Sequence, residues 1–228
     1  MKSICLIPAK GLSTRLPKKN LEKIGGTPLV GLAIQKARSC NIFDEVIVST
    51  EDTEIAKISK IFGAVVPSLR PNKLSVDPAT IVDVMLHVFE TPDFVVQKAD
   101  SVTILLPTSP LVQIDDIIEA NQLFDKHSGC TVLSVCETDF PPFNAWLITE
   151  KKELSPCFPD SEYKFTKSTE CPKTFRSNGA IMICNVDSFL KNRSYRTDTI
   201  IPYLMPKERS IDIDTLLDLE IARFLMSN

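Results

Sequence analysis

The chain has 228 residues and a nearly balanced charge, with 26 basic and 29 acidic side chains and a net charge of −3. This length allows one large α/β domain that folds without disulfides or a structural metal. The lack of a basic excess argues against a general nucleic-acid-binding protein, so we expect no nucleic-acid partner.

Short apolar runs and helical periodicities alternate along most of the chain. Strands are predicted over 4–7, 45–50, 64–66, 102–106, 131–136 and 179–184. Helices are predicted over 28–40, 54–62, 79–90, 114–124 and 216–226. Alternation at such short intervals predicts a wound α/β sheet with helices packed on it.

The connection between the first strand and the first helix carries a local excess of positive charge. Its sequence is Ile-Pro-Ala-Lys-Gly-Leu-Ser-Thr-Arg-Leu-Pro-Lys-Lys-Asn (7–20), and its cations are Lys10, Arg15, Lys18 and Lys19. Cations at the carboxyl end of a first strand suit a multiply charged anion such as a nucleoside triphosphate. Neither glycine-rich phosphate-loop motif is present, so side chains would hold the phosphates. A solvated basic loop is the alternative, and this stretch alone leaves both readings open.

A second informative stretch is Ser-Ile-Asp-Ile-Asp-Thr at 210–215. In an extended strand Asp212 and Asp214 would point the same way, with Cα atoms roughly 6.6 Å apart. Two carboxylates this close favour a divalent cation, and two histidines in the whole chain argue against zinc, so we expect Mg²⁺. The alternative makes Asp214 a helix cap and Asp212 a solvent-facing residue.

The sequence changes character between 140 and 172, where prolines and aromatic residues accumulate and helical periodicity is lost. At most one short strand, 145–149, is predicted there. The aromatic residues are Phe140, Phe143, Trp146, Phe158, Tyr163 and Phe165. We expect a single domain, 1–228, with this segment as an insertion that forms a subunit contact; a lid and an ordinary surface loop are the alternatives.

The cysteines bear on the compartment. They are seven in number and include no Cys-x-x-Cys pair, and several lie in apolar runs where a free thiol behaves as a small hydrophobe. The sequence shows no signal peptide and no apolar run of about 18 residues that could span a bilayer. We therefore expect a reduced, cytoplasmic protein with no membrane partner.

These stretches together resemble the CMP-sialic acid synthetases, or acylneuraminate cytidylyltransferases. The matching segments follow the family's order and span nearly the whole chain: 7–21, 43–52, 69–71, 107–111, 175–180 and 210–215. The resemblance implies a Rossmann-like three-layer α/β sandwich with a mostly parallel central sheet, and a homodimer formed through 140–172. It also implies transfer of CMP from CTP to the anomeric hydroxyl of a nonulosonic acid, with release of pyrophosphate and with Mg²⁺ as cofactor.

The resemblance assigns site residues position by position. The positions that match the nucleotide-binding loop are Lys10, Gly11, Ser13, Arg15 and Lys19. The positions that match the cytidine side are Asn20, Arg70 and Ala79. The positions on the sugar side are Arg176 and Asn178, with Thr108 and Ser109 of the Pro-Thr-Ser-Pro segment. Asp212 and Asp214 match the Mg²⁺ ligands, and with Arg15 and Lys19 they form the predicted catalytic set.

Departures from the family concentrate on the sugar side. Leu106 and Val112 stand where sialic acid members often have Gln and Arg, and Asn144 lies where a Lys is common. Lost sugar contacts change discrimination between acceptors strongly, so legionaminate and pseudaminate stand beside N-acetylneuraminate as candidate substrates. In the loop, Leu12 replaces a glycine, which weakens the case for backbone contacts to phosphate.

Two further hypotheses are kept. A CMP-Kdo synthetase ranks second, because Ser-Thr-Arg-Leu-Pro at 13–17 is similar to that family, although its extra metal-binding aspartate is missing. A non-catalytic nucleotide-binding regulator of the same fold is the other alternative; retention of both carboxylates and Lys19 argues against it.

Overall fold

A six-stranded sheet forms the centre of the computed structural model, which describes residues 2–91, 99–127, 129–164, 166–196 and 198–227. The strands are β1 (Ser3–Pro8), β2 (Lys23–Ile24), β3 (Thr27–Pro28), β4 (Glu45–Ser49), β5 (Ser101–Leu105), β6 (Thr131–Glu137), β7 (Trp146–Ile148), β8 (Leu154–Pro156), β9 (Phe175–Asn185) and β10 (Ile200–Leu204). The helices are α1 (Leu29–Ser39), α2 (Thr53–Ile61), α3 (Ile81–Glu90), α4 (Ile114–Lys126), α5 (Val186–Asn192) and α6 (Leu216–Ser227).

The central sheet has the strand order β10-β6-β9-β5-β1-β4. Neighbouring strands pair in parallel except at β9, which is antiparallel to both β5 and β6. The prediction of a mostly parallel Rossmann-like sheet is confirmed. Because β1, β4 and β5 are parallel, their carboxyl ends meet at one edge, which is where such folds bind ligands.

Helices cover both faces of this sheet, and the alternation along β1 shows it directly. Cys5 and Ile7 face a core cluster with residues of α1, α2 and α4. Ile4 and Leu6 face the opposite cluster, with residues of α3 and α5. Each strand residue thus anchors one helical layer, and the result is the predicted three-layer sandwich.

Helix starts are set by side-chain caps close to the sheet edge that carries the site. Asp52 caps α2, its Oδ1 accepting from the amides of Glu54 at 2.7 Å and Ile55 at 3.0 Å. Thr80 and Asp83 form a capping box at the start of α3. Such caps satisfy amides that the first helical turn leaves without intrahelical partners.

Several element predictions are wrong in detail. Residues 64–66 make only one parallel bridge, between Val65 and Ile47, because Pro67 ends the extended stretch. Residues 211–214 belong to no strand, so the expected strand through Asp212 and Asp214 does not form. The sequence also missed α5, which is only 7 residues long, and β10, which contains a proline.

The segment 140–172 contains the hairpin of β7 and β8, one strand more than predicted, and it pairs Ile148 with Leu154. Phe165 lies outside the described residues. Within the described residues, none of the helices combines the length and the apolar character that crossing a bilayer requires.

Candidate active site

A cleft of about 370 Å³ opens at the carboxyl ends of β1 and β5. Its walls come from the loop after β1, the segment 70–81, the turn after β5 and the segment before α6. The lining residues are Pro8, Lys10, Arg15, Lys19, Asn20, Arg70, Leu74, Ser75, Ala79, Thr80, Ile81, Val84, Leu106, Pro107, Thr108, Asp212 and Asp214. The basic loop and the acidic pair, predicted from distant parts of the chain, therefore face the same space.

Two cations and one carboxylate meet on the loop side of this cleft. The guanidinium of Arg15 lies 2.8 Å from Oδ2 of Asp214, and Nζ of Lys19 lies 2.8 Å from its Oδ1. Lys19 is largely buried whereas Arg15 is exposed, so the Lys19 pair is less screened by water. Lys10 lines the same cleft, and its carbonyl accepts a hydrogen bond from Asn20 Nδ2 at 2.8 Å.

The acidic segment is held beside β5 by its backbone and by one apolar side chain. The amide of Ile213 donates to the carbonyl of Thr108 at 2.8 Å. The Ile213 side chain is fully buried against Ile24, Leu29 and Leu219. Burial of a side chain of this size stabilises by roughly 1.5–3 kcal/mol, which fixes the aspartates on either side of it.

Asp212 lacks the close ion pairs that Asp214 forms with Arg15 and Lys19. The cleft walls remove part of its hydration and Asp214 lies nearby, and these two effects raise the pKa of Asp212 above its ordinary value. The Thr108 hydroxyl, Lys19 and Arg15 act in the opposite direction. A divalent cation between Asp212 and Asp214 would relieve this cost, because it would favour both ionised forms.

The donor set fits Mg²⁺ on chemical grounds. Across the described ranges, no group of three or more His, Cys, Asp or Glu side chains gathers into a metal cage. Mg²⁺ does not need one, since it is commonly held by one or two carboxylates together with substrate phosphates and water. Asp212 and Asp214 supply those carboxylates beside the cationic loop.

Asn178 does not line the cleft, and its contact with the sugar stays a prediction. It is buried, and its Nδ2 donates to Ser210 Oγ at 2.8 Å. Its Oδ1 accepts from Ser134 Oγ at 2.5 Å and from the amide of Ala180 at 3.2 Å. Through these buried hydrogen bonds, Asn178 holds the segment that carries Asp212.

An ion pair between the half-exposed Arg209 and the buried Asp116 also anchors the segment before Asp212. Arg209 donates to Asp116 through Nη2 at 2.6 Å and Nε at 3.2 Å, and the Tyr203 hydroxyl donates to the same carboxylate at 3.1 Å. Such fork-shaped pairing fixes geometry as well as charge. The residues immediately before Asp212 are thus tied to α4 and to β10.

Other predicted residues lie in different places. Gly11 and Ser13 line a neighbouring cavity instead of the cleft, and the Gly11 amide donates to Glu51 at 2.7 Å. The contact of these two residues with the nucleotide therefore stays a prediction. Ser109 is buried and does not line the cleft, whereas Thr108 does. Arg176 is exposed at the start of β9, where its Nη2 lies 3.4 Å from the Ser210 carbonyl.

Sequence reasoning missed several cleft residues on the nucleoside side. Ser75, Thr80 and Ile81 line the cleft beside the predicted Arg70 and Ala79. The cap signal at Thr80 marks a helix start at this edge of the sheet, and that signal could have identified the segment. Ser75 carries no local signal, because its place depends on the fold of the 70–75 turn.

Comparisons with known proteins show which family the chain resembles. The sequence pattern of the family described as cytidylyltransferase matches residues 4–196. A pseudaminic acid cytidylyltransferase of Campylobacter jejuni is 30% identical over 99% of this chain and 96% of its own length. A CMP-N,N'-diacetyllegionaminic acid synthase of Legionella pneumophila is 31% identical over 99% of this chain and 97% of its own.

The chain is also similar to a longer cytidylyltransferase and to a solved structure. An N-acylneuraminate cytidylyltransferase of Escherichia coli is 30% identical over 97% of this chain, which spans 51% of that protein. Among solved structures, a CMP:2-keto-3-deoxy-manno-octonic acid synthetase complexed with CTP aligns with a TM-score of 0.74 at 19% identity, covering 100% of this chain and 99% of that one. At that identity the structural match shows a shared fold.

Proposed function

The chain belongs to the cytidylyltransferase family, and from that membership we propose that it transfers CMP from CTP to the anomeric hydroxyl of a nonulosonic acid. N-acetylneuraminate, legionaminate and pseudaminate are the candidate acceptors. The observation that carries the proposal is the meeting of Arg15 and Lys19 with Asp214 in one cleft, at 2.8 Å in each pair. A cationic loop suits the triphosphate, and the acidic pair suits its metal ion.

The proposed reaction is an in-line displacement at the α-phosphorus of CTP. The anomeric hydroxyl gives up its proton to water as its oxygen forms a bond to that phosphorus, the bond to the bridging oxygen of the β-phosphate breaks, and pyrophosphate leaves with the negative charge. Lys10, Arg15 and Lys19 bind the triphosphate and neutralise charge that develops on the leaving group. Asn20, Arg70 and Ala79 lie where the nucleoside would bind, so CTP would be oriented from both ends.

Asp212 and Asp214 are the proposed ligands of Mg²⁺. A bound Mg²⁺ supplies Lewis-acid polarisation of the phosphate oxygens. The chain's own part is to hold the two carboxylates in place, through the Ile213 backbone and the buried Asn178. Thr108 donates to Asp212 and so orients that carboxylate toward the cleft.

The acceptor class rests on the named activities of the relatives. Pseudaminic, legionaminic and N-acylneuraminic acids appear in those names, and all are nonulosonic acids. Arg176 lies beside the acidic segment, where a guanidinium would suit the carboxylate of such a sugar. A CMP-Kdo synthetase is the second candidate, and its support is a shared fold at 19% identity.

We also propose a homodimer that forms through the inserted segment 140–172. Its hairpin leaves large apolar side chains open to solvent, with Ile148 77% and Leu154 65% exposed. Apolar side chains gathered in this way mark interaction surfaces. The cytoplasm is the proposed location, where CTP is available; the seven cysteines are free thiols.

Pyrophosphate release from CTP tests the function, with a panel of nonulosonic acids and Kdo as acceptors and Mg²⁺ present. We expect turnover with at least one nonulosonic acid and little with Kdo. Tight CTP binding without turnover on any acceptor would favour a non-catalytic regulator instead. Retained activity after combined Asp212→Ala and Asp214→Ala substitution would contradict the metal assignment.

A further inference from the structure

Glu51 is a buried carboxylate beside the cleft that does not line it. It comes two residues after the end of β4, and its side chain is 5% exposed. Burial alone would oppose its ionisation, yet hydrogen bonds from Ser75 and from backbone amides, and the charge of Arg70, keep the pKa of Glu51 below its ordinary value. Both of its oxygens are used, each by a different part of the chain.

One oxygen holds the cationic loop. Oε1 accepts from the amide of Gly11 at 2.7 Å and from that of Leu12 at 3.2 Å. The loop also runs close to the start of α2, since a Cβ added to Gly11 would lie 2.4 Å from Oδ2 of Asp52. Lys10, which lines the cleft, directly precedes this contact, so the position of the loop depends on the carboxylate.

The other oxygen holds the nucleoside side. Oε2 accepts from Ser75 Oγ at 2.5 Å and from Arg70 Nη2 at 3.1 Å. Arg70 also donates to Ser75 Oγ at 2.9 Å and to the Ser49 carbonyl at 3.2 Å. Arg70 and Ser75 both line the cleft.

We propose that Glu51 is a positioning residue for CTP, holding the cationic loop and the nucleoside-side segment in a fixed relation without touching the nucleotide. This inference rests on the proposed function, because it requires CTP to occupy the cleft. A carboxylate with a purely structural role would not need donors from two separate walls of the cleft. Here the donors come from two segments, separated in sequence, that build the same cleft.

Glu51→Gln tests the proposal, because an amide offers one acceptor oxygen where the carboxylate offers two. One set of donors then loses its acceptor, and Arg70 loses its buried counter-ion. We expect the Kd for CTP, measured by calorimetry well below the melting temperature, to rise about tenfold or more. Glu51→Asp keeps the charge with a shorter reach, so its Kd should lie between those of Glu51→Gln and the unaltered protein.

A matched control separates positioning from stability. Phe124 is buried near the end of α4 and does not line the cleft, so Phe124→Leu should lower the melting temperature and leave the Kd unchanged. A Glu51→Gln protein with lowered melting temperature and unaltered Kd would overturn the proposal. Should Glu51→Gln not fold, Glu51→Asp decides by the same criterion.

The unaltered protein distinguishes this inference from the proposed function. If it does not bind CTP, the proposed function fails, and the role of Glu51 fails with it. If it binds CTP and the folded Glu51 variants bind equally well, only the positioning role is overturned.

Discussion

Asp214 is the counter-ion of Lys19, a residue 195 positions earlier in the chain, with 2.8 Å between carboxylate and ammonium. The same carboxylate accepts Arg15 at 2.8 Å. The proposed metal ligand thus neutralises the two cations proposed for the triphosphate. Metal at Asp214 would release both cations, and triphosphate on the cations would release Asp214, so binding of each would favour binding of the other.

The first prediction follows from this pairing. Asp214→Asn should tighten binding of CTP in the presence of a chelator, because Arg15 and Lys19 lose their internal competitor. A gain of about threefold to tenfold is expected from two partly exposed ion pairs. Calorimetry measures it, with Asp212→Asn as comparison: Asp212 feels the charge of both cations but lies beyond ion-pair distance of them, so its gain should be smaller. Unchanged or weaker binding by Asp214→Asn would contradict the interpretation.

The second prediction concerns Asn178. Asn178→Ala should cost about 2–4 kcal/mol of stability, because buried groups of Ser134 and Ser210 lose their partner. Thermal melting measures this loss, and binding of CTP with Mg²⁺ should weaken as the acidic segment loosens. Arg176→Ala is the comparison: its exposed side chain should affect the KM for the acceptor with little change in melting temperature. A rise in acceptor KM without destabilisation in Asn178→Ala would instead indicate direct sugar contact.

The third prediction concerns the hairpin of β7 and β8. Ile148→Lys together with Leu154→Lys should shift the protein from dimer to monomer, since charges would replace apolar contacts at the proposed interface. Sedimentation velocity measures the assembly state. Ile61→Lys is a matched control, because Ile61 is similarly exposed, at 73%, but lies on α2. An unaltered sedimentation profile in the hairpin variant would exclude this surface as the contact.

The fourth prediction is a pH dependence at Lys36. Burial lowers the pKa of this lysine to about 8, although Asp116 acts in the opposite direction, and its ammonium donates to the Pro110 carbonyl. The unfolded chain binds more protons at this group between pH 8 and its ordinary pKa, so its contribution to stability rises with pH in that window.

Lys36→Met removes this titration. The stability of the unaltered protein relative to Lys36→Met should therefore rise by about 2–3 kcal/mol from pH 7 to pH 10. Urea unfolding of both proteins at several pH values measures the difference in their unfolding free energies. The contributions of the other titrating groups are the same in both proteins and cancel. A difference that is constant with pH would show that Lys36 is solvated in the folded protein.

Local sequence patterns predicted much of the fold. Continuous apolar runs identified β1 and β5, and helical periodicity identified α2 and α3, because both signals depend on neighbouring residues. The basic loop and the pair Asp212 and Asp214 were also visible, since their charge and spacing are local properties. Short or proline-containing elements such as α5 and β10 gave too weak a signal to be predicted.

The chain's sequence by itself determined the layer architecture and the two charged segments of the candidate site. Only the tertiary structure decided that Asp214 pairs with Lys19, that Asn178 is buried, and that Glu51 links both sides of the cleft. The physical reason is that periodicity and capping act within a few residues. Ion pairs and buried hydrogen bonds join side chains that become neighbours only after the sheet has aligned the carboxyl ends of its strands.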